Sequence, residues 1–140
     1  MNARFFLDTN IFVYSFDTGA PAKSRQAFKL IREAVATRKG VVSYQVVQEF
    51  LNVALRRFAH PMTPAEAEQY LAQVFRPLLA VHSSPALYAE ALRLIGRYSL
   101  SWYDSLIVAA ALESKCSVLY SEDLQHGQEI AGLEIKNPFV

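Results

Sequence analysis

The sequence predicts a three-layer α/β/α fold, in which helices cover both faces of a central, mostly parallel sheet of four or five short strands. Two observations predict this fold. Short apolar runs alternate with longer segments that repeat apolar residues at helical spacing, the order expected of parallel strands joined by helical crossovers. The runs are also nearly continuous in apolar residues, as in strands that are buried on both faces. The 140 residues fit one domain, and we expect 1–140 to form it.

The first part of the chain is predicted to form two strands and three helices. They are a strand at 5–7, a helix at 11–16, a helix at 21–39, a strand at 41–43 and a helix that ends before Pro61. Pro21 is expected to open the second helix and Gly40 to end it, because proline suits a first helical turn and glycine a helix end. Ser43 is a candidate cap of the third helix.

The second part of the chain is predicted to form three more helices and the remaining strands. They are a helix from the capping box at 63–66, a strand at 78–82, a helix at 85–96, a helix at 102–115, a strand at 118–120 and a last strand at 133–135. The helix at 102–115 is apolar on nearly all sides, which predicts burial on more than one face.

Charge and cysteine content exclude several classes of protein. Fourteen basic and 13 acidic residues leave a net charge of +1, so the chain has no global basic signature of a nucleic-acid binder. The single cysteine, Cys116, excludes a disulfide scaffold and a cysteine-based zinc site. No apolar run of signal-peptide length precedes Asp8, and no run reaches the length of a membrane span. We therefore expect a cytoplasmic protein with no membrane partner.

The aspartates are the most informative residues, because Asp disfavours helix interiors and marks caps, turns or chemistry. Asp8 follows the first strand, Asp123 lies just past the fourth strand, and Asp104 lies in the first turn of the last helix. Glu49 lies at the edge of the apolar face of the third helix. Ligands bind at the carboxyl ends of the strands in open parallel sheets, so these four carboxylates form a candidate site. Asp17 has no assigned role.

Each carboxylate also has a structural interpretation. Asp8 is a candidate helix cap, Asp104 the third member of a capping box, and Glu49 a solvated helix residue. Asp123 is a candidate turn residue, and Glu122 beside it is an equal acidic candidate. Grouped carboxylates repel one another and raise one another's pKa values, and such a cluster is tolerated when a divalent cation neutralises it. Mg²⁺ and Mn²⁺ prefer such oxygen ligands, and the grouping therefore favours a metal site.

Four segments resemble the motifs of PIN-domain nucleases, in the order and spacing of that family. They are Asp-Thr-Asn at 8–10, Gln-Glu-Phe at 48–50, the helix that begins Trp-Tyr-Asp-Ser at 102–105, and Tyr-Ser-Glu-Asp-Leu at 120–124. Within the family, the chain is most similar to VapC toxins of toxin–antitoxin modules, because it is small and shows no appended domain. The family often has Thr where this chain has Ser121, and the hydroxyl is kept.

This resemblance implies a PIN-like fold and metal-dependent cleavage of RNA phosphodiesters with Mg²⁺ or Mn²⁺. It implies that Asp8 and Asp104 are the main metal ligands, and that Asp123 and Glu49 complete the site, directly or through water, and orient or deprotonate the attacking water. It further implies a VapB-like antitoxin partner and a homodimer. Three polar neighbours are candidates to fix the carboxylates through hydrogen bonds: Thr9, Asn10 and Ser121.

Positive charge is concentrated in the first part of the chain. Residues 1–60 contain nine Lys and Arg against four Asp and Glu, a net charge of +5, whereas 61–140 contain five against nine, a net charge of −4. The basic residues crowd the helix at 21–39, as either a solvated face or a surface for RNA phosphates or an acidic partner. Trp102 and Tyr103 are either packing residues or platforms for an unpaired base.

Other functions stay open at this point. A haloacid-dehalogenase-like phosphatase needs a second Asp two residues after the first, and that position is Asn10. A response-regulator receiver has its phosphorylated Asp at the end of a middle strand, and residues 78–84 contain no Asp. The remaining alternatives are a housekeeping RNA-processing nuclease and a non-catalytic interaction module. The presence of all four carboxylates argues against the last.

Overall fold

A computed structural model describes residues 3–140 of the protein. Within these residues six helices and six strands follow one another along the chain. They are β1 (Arg4–Leu7), α1 (Thr9–Tyr14), α2 (Pro21–Thr37), β2 (Gly40–Ser43), α3 (Tyr44–Arg56), α4 (Pro64–Tyr70, continued by a π-helical turn, Leu71–Phe75, and a last turn, Arg76–Leu78), β3 (Leu79–Val81), α5 (Pro85–Tyr98), α6 (Trp102–Glu113), β4 (Cys116–Tyr120), β5 (Glu129–Ile130) and β6 (Leu133–Lys136).

The strands form one sheet in the order β3-β2-β1-β4-β6-β5, which confirms the predicted mostly parallel α/β fold. Only β5 is antiparallel to its neighbour; the other pairs are parallel. All residues of β2 are buried, so the sheet is covered on both faces. The strand order changes direction at β1, which has β2 on one side and β4 on the other. Such a switch point is where open parallel sheets bind ligands.

The core confirms the predicted burial of the last long helix. In α6 the residues Ser105–Ala111 are all buried, since the helix packs between the sheet and α5. On the other side of β1, the aromatic rings of Phe12, Phe50 and Phe75 pack edge-to-face and tilted against one another with centroids 4.9–6.3 Å apart. No helix within residues 3–140 is long and apolar enough to cross a membrane.

Three local predictions differ from the structure. Gly40 does not end α2: the helix ends at Thr37, with Arg38 in the left-handed region, and Gly40 begins β2. A Cβ at Gly40 would lie 2.1 Å from the Cβ of Ala34, so glycine is needed for the close approach of β2 to α2. Ser43 occupies the N-cap position of α3, but its hydroxyl makes no capping hydrogen bond. The sheet also has β5, a sixth strand that the sequence did not predict.

Candidate active site

Asp8 lies at the carboxyl end of β1 and is the N-cap of α1. One carboxylate oxygen accepts a hydrogen bond from the backbone N–H of Thr9 at 2.7 Å, and the other accepts one from the hydroxyl of Ser121 at 2.7 Å. The residue is only 4% exposed. Burial raises the pKa of Asp8 to about 7, against the lowering effect of its two hydrogen bonds, and the charges on Asp123 and Glu49 raise it further.

Glu49 lies on α3, and its carboxylate contacts Thr9, the residue that follows Asp8. The hydroxyl of Thr9 donates a hydrogen bond to Oε1 of Glu49 at 2.6 Å, and the side-chain amide of Gln45 lies 3.3 Å from Oε2. Thr9 therefore connects the first helical turn after β1 to the carboxylate on α3. Glu49 is half-buried at the edge of the apolar face of α3, so its carboxylate is only partly in contact with solvent.

Asp104 lies in the first turn of α6, where its backbone N–H donates to the hydroxyl of Ser101 at 3.2 Å. The predicted capping box is only half formed. Within residues 3–140, the Asp104 carboxylate makes no return hydrogen bond to the backbone of Ser101, in contrast to the complete box of Thr63 and Glu66 on α4. The carboxylate of Asp104 is therefore left for the site.

Asp123 follows β4 at the open rim of the site. Its backbone N–H donates to the Ser121 hydroxyl at 3.1 Å, the same hydroxyl that donates to Asp8. Partial burial and then the charge on Asp104 raise the pKa of Asp123, with smaller contributions from Glu122 and Glu49, while the Asn10 side chain lowers it. The Ser121 hydroxyl thus contacts the carboxylate of Asp8 and the backbone of Asp123 at once.

Electrostatics show that the four predicted carboxylates lie in one neighbourhood. The charge of Glu49 acts on both Asp8 and Asp123, and the charge of Asp104 acts on Asp123. Within residues 3–140, however, no three acidic, His or Cys side chains converge closely enough to enclose a metal ion. The arrangement is an open cluster of carboxylates. Their role as metal ligands stays a prediction.

The donor set of this open cluster fits a hydrated hard cation. Mg²⁺ keeps several of its waters and uses one or two protein carboxylates, so an open acidic cluster suits it better than a closed cage would. Asn10 supplies a second observation. Its carboxamide oxygen and nitrogen are buried at the cluster and make no hydrogen bond of ordinary geometry within the described residues. Such an amide can satisfy its donors and acceptor on the waters that surround a cation.

Glu122, the second acidic candidate of the loop after β4, points to other partners. Its carboxylate accepts a hydrogen bond from the Tyr14 hydroxyl at 2.6 Å and pairs with the Lys23 ammonium at 2.5 Å. Despite partial burial, these contacts hold the pKa of Glu122 below its ordinary value. The Lys23 ammonium also lies 4.6 Å from the Tyr14 ring centre. Glu122 therefore ties the Asp123 loop to α1 and α2, a role that the sequence did not indicate.

Most of the basic residues of α2 are exposed, whereas the two aromatic residues before Asp104 differ from each other in exposure. The exposed side chains of the outer face of α2 include three basic residues together with Phe28 and one acidic residue: Arg25, Lys29, Arg32 and Glu33. Trp102 is half-buried and packs edge-on against Tyr88, with ring centres 5.7 Å apart. Tyr103 is 63% exposed. The packing interpretation thus holds for Trp102, whereas Tyr103 leaves its ring free for a ligand.

Comparison with known proteins gives one family and several structural relatives. The family model of the PIN domain matches residues 5–128. No curated protein matches the chain. Among solved structures, a toxin–antitoxin complex from Klebsiella pneumoniae is similar at 18% identity and a TM-score of 0.68, over 95% of this chain and 96% of that chain.

Two further solved structures have the same fold. VapC20 from Mycobacterium tuberculosis, described as a sarcin-ricin loop cleaving toxin, has 20% identity and a TM-score of 0.62, over 84% of this chain and 88% of that chain. A DNA-bound VapBC from Salmonella typhimurium has 16% identity and a TM-score of 0.66, over 97% and 98% of the two chains. At such low identities the likeness shows the fold alone.

Proposed function

The chain belongs to the PIN domain family, and we propose that it is a metal-dependent endoribonuclease that acts as the toxin of a VapBC-type toxin–antitoxin module. The observation that carries the proposal is the placement of Asp8. It is buried at the switch point of the sheet among further carboxylates, and its pKa is raised to about 7. A buried carboxylate with a strongly raised pKa in such a place is a functional-site candidate.

We propose that Asp8 and Asp104 are the main ligands of a divalent cation, Mg²⁺ or Mn²⁺, and that Glu49 and Asp123 complete the site directly or through water. When bound, the cation neutralises the phosphodiester and lowers the pKa of a water molecule. Thr9 and Ser121 hold the carboxylates of Glu49 and Asp8 through hydrogen bonds of 2.6 and 2.7 Å, which fixes the direction of their free lone pairs.

The attacking water needs a group that orients it and takes its proton. Asp123 suits this role in the proposal because it lies at the open rim and its pKa is raised, so its carboxylate is a better proton acceptor than an ordinary Asp. Glu49 is the alternative acceptor, and its hydrogen bond from Thr9 makes it the more rigid of the two. The exposed basic face of α2 is the proposed contact for the RNA backbone outside the site.

RNA cleavage with Mg²⁺ or Mn²⁺, and with EDTA, tests the nuclease proposal. Asp8→Asn and Asp104→Asn should each lower the cleavage rate by at least about 100-fold, the upper end of what the loss of an outer-shell partner costs. Asp17→Asn is the matched control. Its carboxylate is exposed and, within residues 3–140, accepts a hydrogen bond only from the backbone N–H of Gly19, which the oxygen of an asparagine side chain can also accept. Full activity in EDTA, or in both site variants, would refute the proposal.

The toxin role has its own test. Structural relatives from three organisms are toxin–antitoxin complexes or toxins of such modules, which supports a VapB-like antitoxin as partner. Induction of the gene should arrest growth, and co-expression of a small neighbouring gene should restore it. Growth that continues despite active nuclease would favour a housekeeping RNA-processing enzyme. The homodimer and the single domain at 1–140 stay proposals, which analytical ultracentrifugation and limited proteolysis would check.

A further inference from the structure

A cavity of about 200 Å³ lies beside the acidic cluster, where β2 and β3 end and α3, α5 and α6 begin. Gln45 connects the cavity to the cluster. Its side-chain amide lies 3.3 Å from Oε2 of Glu49 and 3.3 Å from the backbone carbonyl oxygen of Tyr103. A group bound in the cavity would therefore lie next to whatever the carboxylates hold.

The lining of the cavity consists mainly of aromatic and polar side chains. No Asp, Glu, Lys or Arg contributes to it. The rings of Tyr44 and His82 pack together on one side with centres 4.4 Å apart, and those of Tyr88 and Trp102 meet edge-on elsewhere in the lining. Such a lining disfavours a phosphate or an acidic side chain and suits a flat, neutral ring.

Two side chains of the lining have unused binding capacity. The hydroxyl of Ser43 is buried, in a residue only 4% exposed, and it has no hydrogen-bond partner within residues 3–140. An unpaired buried hydroxyl costs free energy unless a ligand satisfies it. Tyr103 is 63% exposed, and its ring stacks on no other aromatic ring in the described part of the chain. It can provide a stacking surface at the mouth of the cavity.

We propose that this cavity receives one unpaired nucleobase of the RNA strand, next to the phosphodiester at the acidic cluster, an inference that rests on the proposed function. The base stacks on Tyr103, and its edge is read by the Ser43 hydroxyl and the side-chain amide of Gln48. Bases splayed out of a single strand are recognised in this way, by stacking on aromatic rings and by hydrogen bonds to their edges. The cavity thus confers base preference on cleavage beside it.

Fluorescence anisotropy with labelled short homopolymeric RNAs in EDTA tests the proposal without cleavage. A ribose-phosphate chain of equal length without bases reports backbone binding alone. Tyr103→Ala should weaken binding of at least one homopolymer by about tenfold, since one stacked base is worth ~1–3 kcal/mol. It should leave the abasic chain unaffected, and Tyr103→Phe should bind as the wild type does. Leu92→Ala, which removes an exposed apolar side chain of α5 outside the cavity lining, is the matched control.

Ser43→Ala tests the proposal at a residue that, unlike Tyr103, is not adjacent to Asp104 in the sequence. Because the hydroxyl has no partner within residues 3–140, this variant should melt at the wild-type temperature or above it, yet its affinities for the homopolymers should change in rank. Equal losses by Tyr103→Ala on the RNAs and on the abasic chain would overturn the proposal. So would unchanged binding of every homopolymer, or a wild type that binds no RNA better than the abasic chain.

Cleavage in Mg²⁺ separates this inference from the proposed function. The cavity predicts that Tyr103→Ala raises KM and leaves kcat near that of the wild type, because stacking binds the strand and does no chemistry. Base-dependent binding without any cleavage would refute the nuclease and leave the base site standing. Cleavage that is insensitive to Tyr103→Ala and to Ser43→Ala would refute the base site and leave the nuclease standing.

Discussion

Asp8→Asn should make the metal-free protein more stable, by an amount that grows with pH. The folded-state pKa of Asp8 is about 7, above its ordinary value of 3.8, because the carboxyl is buried. Between these two pH values the unfolded chain has lost the proton while the folded chain keeps it. The free energy of unfolding therefore falls as pH rises from about 4 to about 7 and then levels off. An amide at this position has no such pH dependence.

The magnitude follows from the difference between the two pKa values. A difference of about three pH units corresponds to about 4 kcal/mol when both states are ionised, as an upper bound. About 1–2 kcal/mol of this is already lost at pH 5. The advantage of Asp8→Asn over the wild type should therefore grow by about 2 kcal/mol from pH 5 to pH 8. For a chain of this length this corresponds to a change of about 6 °C in the Tm difference.

The amide can keep the local hydrogen bonds, which makes the comparison clean. Its oxygen can still accept from the backbone N–H of Thr9, and the Ser121 hydroxyl can accept from the new N–H where it now donates. Thermal and urea unfolding at several pH values, in EDTA, measure the difference. Asp17→Asn, on an exposed turn, should parallel the wild type throughout. A stability difference between Asp8→Asn and the wild type that does not change with pH would refute the reasoning.

Three further predictions concern the metal, the loop after β4 and the packing of β2. Mg²⁺ at about 100 times its Kd should raise the free energy of unfolding of the wild type by about 2.7 kcal/mol at pH 8, as melts with and without EDTA would show. Glu122→Ala should weaken Mn²⁺ binding in a calorimetric titration by about tenfold, because it frees the loop, whereas Glu90→Ala, which breaks an exposed ion pair on α5, should not. Gly40→Ala should lower the free energy of unfolding by more than about 2 kcal/mol in urea melts, because its Cβ would collide with Ala34. The control Gly96→Ala, in open space on α5, should raise the free energy of unfolding by up to about 1 kcal/mol.

The fold could be predicted from the sequence because its signals are local. The apolar runs of β1 and β4 and the capping box at the start of α4 are each read within a few residues. Short or strained elements lack such signals: β5 has only two residues, and the π-helical turn Leu71–Phe75 continues an ordinary helical pattern. The sequence suggested that Gly40 ends a helix. Glycine is instead required there by the close approach of β2 to Ala34, a tertiary contact that local sequence does not show.

The candidate site, like the fold, has features that the sequence predicts and features that it does not. Asp8 and Asp123 could be placed near each other because parallel strands end at one edge of the sheet, and the shared hydroxyl of Ser121 agrees with this. The pairing of Glu122 with Lys23 joins residues 99 positions apart, and no pattern in the sequence indicates it. The unpaired hydroxyl of Ser43 was also hidden, since a serine before a helix normally caps it.

The energetics of Asp8 bear on whether it is a cap or a ligand. A helix cap needs only one oxygen that accepts a backbone N–H, and an asparagine or serine supplies it without burying a charge. Asp8 caps α1, but its carboxylate is nearly inaccessible and faces the charges of Asp123 and Glu49, so ionisation near neutral pH costs stability. Residues that lower the stability of the fold in this way are expected at functional sites, where their chemistry conflicts with local stability. A cation that binds the ionised form reverses the cost and displaces a proton, so metal affinity should rise with pH through about 7. The capping interpretation alone predicts neither the destabilisation nor this linkage.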